Sequence, residues 1–350
     1  MAKRVAFAIP GDLETRTGGY AYDRRIIAEL RRSGWQVDIV GLGDGFPMAS
    51  EEQLAQASWR LLQAPGGFPV VVDGLAFGAL PHTAASLHKK RPVVALVHHP
   101  LANETGLAPG MVERLHDSER NALATAHKVI VTSETTADLL VADFDVPRAR
   151  LQVIPPGTDP VPPAIGSGGN PLQLLAVGAI SPRKGFDVLV EALSSLTDLP
   201  WQLTIAGDRS RDQGAVARLD AAIAGHRLQG RIRTTGLASA ERLAALYATA
   251  DLFVLASHFE GYGMAYAEAI AHGLPIVGTT GGAIPRTVPA SAGRLVPPGD
   301  VTALAEALRE VLESPDYRRA LAAGARAAAA ALPSWARSAE DFARLLDGAS

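Results

Sequence analysis

One local pattern recurs along this chain and leaves few folds open to it: a short apolar run that ends on glycine or polar residues, a helical stretch, then another apolar run. Such alternation builds a parallel sheet with right-handed crossovers, its strands covered on both faces by helices. In the first half the runs are Val5 to Ile9, Gly34 to Val40, Phe68 to Val72, Pro92 to Val97 and His127 to Ser133. Helices are expected over Tyr20 to Ser33, Ser50 to Leu62, Pro109 to Ala126 and Thr135 to Ala142. Val153 to Pro171, VIPPGTDPVPPAIGSGGNP, breaks the pattern and reads as a linker. The alternation then restarts, with strands expected at Leu172 to Val177, Trp201 to Ala206 and Arg231 to Thr235. The matching helices cover Asp187 to Ser194, Ala215 to Ala224, Ser239 to Ala248 and Val301 to Leu312. Two doubly wound α/β domains follow.

The most informative unit is Leu252 to Gly278. Leu252 to Leu255 reads as a buried strand, Ser257 to Gly263 as a glycine-flanked loop, and Met264 to His272 as a helix stopped by Gly273-Leu274-Pro275. In a parallel sheet this loop lies at the carboxyl end of its strand, where open α/β folds bind ligands. Free N–H groups at the helix start, around Gly263 and Met264, suit an anion. Glu260 and Glu268 flank that start, roughly 12 Å apart if the intervening residues were all helical. This is the reach of a diphosphate with a sugar on either side, and each carboxylate can accept charge-assisted bonds from two vicinal hydroxyls.

Other strand ends carry polar residues too. Gly18 and Gly19 sit at the first helix entry, where a backbone can approach a ligand closely. They do not form a dinucleotide fingerprint, since no G-x-G-x-x-G joins that strand to its helix. One strand ends at Asp73-Gly74 and the next at His98-His99, adjacent residues whose side chains diverge in a strand and so rarely share a metal. In the second half, Gly178 to Gly185 places Arg183 and Lys184 in a loop leading to a helix N-terminus, where an anion is expected.

Composition narrows the function classes. With 47% hydrophobic and 20% charged residues in 350, the chain has the balance of a soluble globular protein. A net charge of -3 with scattered Lys and Arg offers no field for nucleic acid. The absence of cysteine removes disulfides and thiolate ligands. No apolar stretch reaches membrane-span length, and Glu51 to Arg60 is not basic enough for an interfacial helix, so a cytoplasmic protein without a strong membrane signal is expected.

Taken together, Glu260-Gly261-Tyr262-Gly263, Glu268-Ala269, Gly273-Leu274-Pro275-Ile276-Val277 and Gly281-Gly282 resemble the E-x7-E region of family 4 glycosyltransferases. These are retaining enzymes of the GT-B fold that use nucleoside diphosphate sugars. The resemblance implies two Rossmann-like doubly wound domains facing a central cleft: an acceptor domain over residues 1–160 and a donor domain over 161–325. Residues 326–350 would form a helical segment crossing back to the first domain, burying Trp335, Phe342 and Leu345. It further implies that Glu260 and His98 meet the transferred sugar and Glu268 the ribose. Lys184 would stabilise the departing diphosphate as a catalytic cation, and either Arg183 supplies a second catalytic cation or diphosphate affinity is reduced; Gly178, Gly261, Tyr262, Gly263 and Met264 would line the donor site, and Gly18 and Gly19 the acceptor loop.

Cations and a helix N-terminus can stabilise a departing diphosphate without a metal, so no metal and no further cofactor are expected. The chain departs from its resembled family at Ala179, where an arginine is common, and at Arg286, where the glycine-pair segment usually leads to a glutamate. Three other readings remain beside a retaining transferase acting on an unidentified acceptor. These are a catalytically weak nucleotide-sugar-binding protein, a GT-B sugar phosphorylase or epimerase, and an NAD-dependent oxidoreductase that the missing glycine fingerprint disfavours.

Overall fold

The computed structural model describes residues 3–104 and 107–349. They form two compact units, residues 1–157 with 333–350 and residues 158–332. Residues 326–332, which the sequence reading groups with the terminal segment, belong with the second unit; the return to the first begins at Pro333.

The first unit holds β1 (Arg4–Pro10), β2 (Gln36–Gly43), β3 (Val70–Asp73), β4 (Val93–Val97), β5 (Lys128–Val131) and β6 (Leu151–Val153), all parallel, in the order β2-β1-β3-β4-β5-β6. Strands β3 and β4 are buried along their whole length, as a sheet covered on both faces requires. Edge strand β2 instead alternates in exposure. The order reverses direction between β1 and β3, leaving a crevice outside their carboxyl ends.

The last helix, Trp335–Ala349, packs on the first, Gly18–Arg32. Trp335, Ser338, Phe342 and Leu346 are buried, three to four residues apart on one face, and Phe342 stacks on Phe7 of β1 at 5.6 Å between ring centroids. Leu345, expected on that face, is only half-buried: one residue before Leu346, it points about 100° around the helix from it.

The second unit holds β7 (Leu172–Val177), β8 (Trp201–Ala206), β9 (Ile232–Gly236), β10 (Leu252–Val254), β11 (Ile276–Thr279) and β12 (Gly293–Val296) in the order β12-β11-β10-β7-β8-β9, again all parallel. Here the switch of direction falls between β7 and β10. The loops that follow these two strands are Gly178 to Gly185 and Ser257 to Gly263. Chain topology therefore brings together two motifs that lie about 75 residues apart in sequence.

Candidate active site

Close backbone approaches hold the two switch-point loops of the second unit in place. After β7 the chain makes a short 3-10 turn, Pro182–Lys184, closed by Gly185 at φ +60°. A Cβ on Gly185 would lie 2.2 Å from the carbonyl oxygen of Ala256, so only glycine lets this turn sit against the end of β10. The Arg183 carbonyl accepts from the His258 amide at 2.8 Å, tying one loop to the other. Gly282 pairs with Glu260, and Ala283 N–H donates to the Glu260 carbonyl at 2.8 Å.

Into this junction the turn delivers both cations. Lys184 Nζ donates to Glu260 Oε1 at 2.6 Å, and Arg183 Nη1 reaches Glu260 Oε2 at 3.3 Å and the Phe259 carbonyl at 2.9 Å. Ser257 Oγ donates to Glu260 Oε1 at 2.7 Å. Adjacent side chains would diverge in a strand; the turn is what lets both converge on one carboxylate. Burial alone would raise the Glu260 pKa. Lys184 and Arg183 outweigh it, with the Lys184 and Ser257 hydrogen bonds, and hold the carboxyl at about 2, so Glu260 is an anion across the physiological range. Gly178 lies beneath: a Cβ there would come within 3.0 Å of Lys184 Cε. Ala179 is half-buried beside it and brings no charge.

Beyond Glu260 the chain turns through Gly263 at φ +92° into the helix Met264–Ala271. Among the described residues, no partner is found for the amides of Tyr262, Gly263 and Met264, which leaves donors directed at the position an anion would take. Glu268 stands in the second turn. Tyr247, from the helix Ala240–Thr249, donates its hydroxyl to Glu268 Oε2 at 2.9 Å, and its ring stacks on His272 at 5.0 Å. Burial raises the Glu268 pKa and the Tyr247 hydrogen bond opposes the rise.

In the first unit the residues of interest gather at the β1/β3 switch point. His98 follows β4, and its Nε2 lies 3.2 Å from Asp23 Oδ1 and 3.6 Å from Asp73 Oδ2. Tyr22 meets the imidazole edge-on at 5.4 Å. Gly18 and Gly19 open the first helix; a Cβ on Gly19 would stand 3.1 Å from His98 Cδ2, so glycine admits the ring there. His99 diverges and pairs with Glu104 at 3.2 Å. Asp23, Asp73 and His98 offer ligand atoms within 4.8 Å of one another, close enough to share a cation, and they are the one such group among the described residues.

Sequence reasoning reached Glu260, Glu268, Arg183, Lys184 and His98, but not Tyr247, Ser257 or Asp23, each of which acts on one of them. Ser257 lay within the loop it identified. Asp23 and Tyr247 sit inside ordinary helical stretches and carry no local signal.

The family model described as Glycosyl transferases group 1 matches residues 160–328, and that described as Glycosyltransferase Family 4 matches residues 20–161. An MMP alpha-(1->4)-mannosyltransferase of Mycolicibacterium hassiacum is 28% identical over 83% of this chain and 73% of its own length. A D-inositol 3-phosphate glycosyltransferase of Actinosynnema mirum is 30% identical over 73% of this chain and 67% of its own. The solved structure of Anabaena HepE in complex with UDP and glucose superposes with a TM-score of 0.80 at 19% identity, covering 99% of this chain and 100% of that one. With its paired six-stranded parallel sheets and a glutamate pair spanning a helix start, the chain belongs to glycosyltransferase family 4 and has the GT-B fold.

Proposed function

We propose that this protein transfers a sugar from a nucleoside diphosphate sugar to an acceptor with retention of anomeric configuration, and that it does so without a catalytic metal. The observation that carries the reading is the convergence of Lys184 and Arg183 on Glu260 beside the open amides of Tyr262, Gly263 and Met264. Departure of a diphosphate builds negative charge on its oxygens. Fixed cations and a helix start stabilise that charge where it develops. Glu260, tied in place by three side chains, is positioned as an acceptor for hydroxyls of the transferred sugar, and Glu268 for those of the ribose. A GT-B neighbour that holds UDP and glucose supports a uridine nucleotide as the first donor to test.

The test is release of nucleoside diphosphate from a panel of sugar nucleotides, with and without EDTA, followed by NMR assignment of the anomeric configuration of product or hydrolysed sugar. Turnover that survives EDTA and keeps the donor's configuration is expected. Inverted product would overturn retention, loss of activity in EDTA would overturn metal independence, and binding without turnover would leave a nucleotide-sugar-binding protein.

A further inference from the structure

The cluster around His98 has a feature that the donor chemistry does not call for. Asp23 is fully buried, on the inner face of the first helix, and gives one carboxylate oxygen to His98 Nε2; its other oxygen, Oδ2, has no partner among the described residues. A half-satisfied buried carboxylate is costly unless a full positive charge lies beside it. Asp73 approaches the same nitrogen from the end of β3, its Oδ1 already accepting the Leu75 amide at 2.8 Å. Both carboxylates therefore address one ring atom. A neutral imidazole could meet them with a single N–H, but only an imidazolium sets a positive charge against theirs.

Tyr22 packs its ring edge against the imidazole, Gly19 leaves room for the Cδ2 side, and Thr132 from the end of β5 donates its hydroxyl to the His98 carbonyl at 3.3 Å. Nδ1 has no partner among the described residues, and the side chain keeps 17% of its surface exposed.

We propose that Asp23 and Asp73 are positioning residues that clamp His98 by Nε2 as a cation, so that its remaining edge meets a ligand only as an N–H donor through Nδ1. This rests on the transferase reading for what that ligand is, an oxygen of the donor or acceptor sugar, but not for the clamp itself. A histidine so held cannot accept the acceptor's proton, because its only outward nitrogen already carries one. Burial opposes the charged imidazole, yet the Asp23 and Asp73 interactions overcome it and push His98 up to about 10, while burial pushes Asp23 up to about 6. Both groups are charged between those limits.

Long-range 1H–15N NMR of the imidazoles, on wild type, Asp23→Asn and Asp73→Asn, reads the clamp without any substrate. Both His98 nitrogens protonated at pH 8 in the wild type, with titration falling toward 6.5 in Asp23→Asn, is expected. In parallel, kcat for nucleoside diphosphate release should be level from pH 6.5 to 8.5 in the wild type, and at least tenfold lower at pH 8.5 than at pH 6 in Asp23→Asn. Asp73→Asn, which keeps the bond to the Leu75 amide, should show the same trend more weakly and guards against misfolding of the first variant. A neutral wild-type His98 at pH 8 overturns the proposal, as does an Asp23→Asn enzyme with the wild-type pH profile. Stoichiometric zinc or manganese uptake by the wild type, lost in Asp23→Asn, overturns it in favour of a metal site. If the wild type releases no nucleoside diphosphate while the NMR shows the imidazolium, the transferase reading fails and the clamp stands.

Discussion

The hydroxyl of Tyr247 donates to Glu268 Oε2 across 2.9 Å, from a ring stacked face to face on His272. This is the only side-chain bond to Glu268 among the described residues. Tyr247→Phe should therefore release the carboxylate without disturbing the stack. We expect the Kd for the product nucleoside diphosphate to rise about fivefold, on the order of 1 kcal/mol. The hydrogen bond also opposes the burial that raises the Glu268 pKa, so losing it should make affinity begin to fall at a higher pH as the solution is acidified. Calorimetry between pH 5 and 8 reads both effects; an unchanged Kd and pH dependence would show that Tyr247 plays no part in nucleotide binding. Glu268→Ala should weaken the same binding by about 1.5–3 kcal/mol.

Lys184→Ala would leave Glu260 buried beside Arg183 alone. Removing one partner of a buried pair typically costs about 3–5 kcal/mol, because the other charge loses its compensation. Thermal unfolding should show Lys184→Ala to be less stable than the double variant Lys184→Ala with Glu260→Gln. The sign of the pH dependence follows from the depressed pKa: the stabilisation from Glu260 is complete above about 4.5 and is lost as pH falls toward about 2. A double variant no more stable than the single would show that the pair is not coupled.

If Arg183 supplies the charge missing at Ala179, Arg183→Ala should lower kcat, since the diphosphate carries more charge in the transition state than in the bound donor. Ala179→Arg should partly restore that variant but not Lys184→Ala. Full activity in Arg183→Ala would assign Arg183 to holding the Phe259 carbonyl only.

Glu119 gives a prediction independent of the chemistry. It is 1% exposed on the helix Pro109–Ala124, accepts the Leu101 amide at 2.8 Å through Oε2, and has no partner for Oε1 among the described residues. Burial pushes its carboxyl up to about 8, against the bond from Leu101. A raised acid favours its neutral form in the folded state, so the native protein loses stability as pH rises from about 4.5 to about 8. Glu119→Gln keeps the acceptor and cannot ionise. Urea unfolding should show the variant gaining on the wild type across that window by an amount on the order of 5 kcal/mol. A difference that does not vary with pH would mean that Glu119 is not buried as an acid.

What the sequence made legible was local. The apolar run Leu252 to Leu255, the glycines at 261 and 263 and the Gly273-Leu274-Pro275 stop announce their element without help from the rest of the chain, and β10 and the helix Met264–Ala271 lie where those signals put them. Short elements escaped. Strand β6 is three residues at a sheet edge, none of them fully buried, and the helix Pro81–His88 buries only Thr83, Ala84 and Leu87, too little apolar surface to stand out as a period. Asp23 reads as a solvated acid on an amphipathic helix, because what buries it is His98, 75 residues away. The meeting of Arg183 with Glu260 likewise depends on the strand order, which places β7 beside β10.

The first unit is closed by the helix Trp335–Ala349. Phe342 covers Phe7, Lys3 pairs with Asp347 at 2.5 Å, and a Cβ on Gly157 would fall 2.2 Å from the Trp335 nitrogen. The second unit is one continuous stretch, residues 158–332, whereas the first is assembled from two pieces on either side of it. On the ribosome the second unit has all its residues before the first has its last helix. Until that helix emerges, Phe7 and Tyr22 lack the cover of Phe342 and Trp335. The larger piece of the first unit is thus made before the second unit and completed only after it, and its apolar face stays uncovered in the interval.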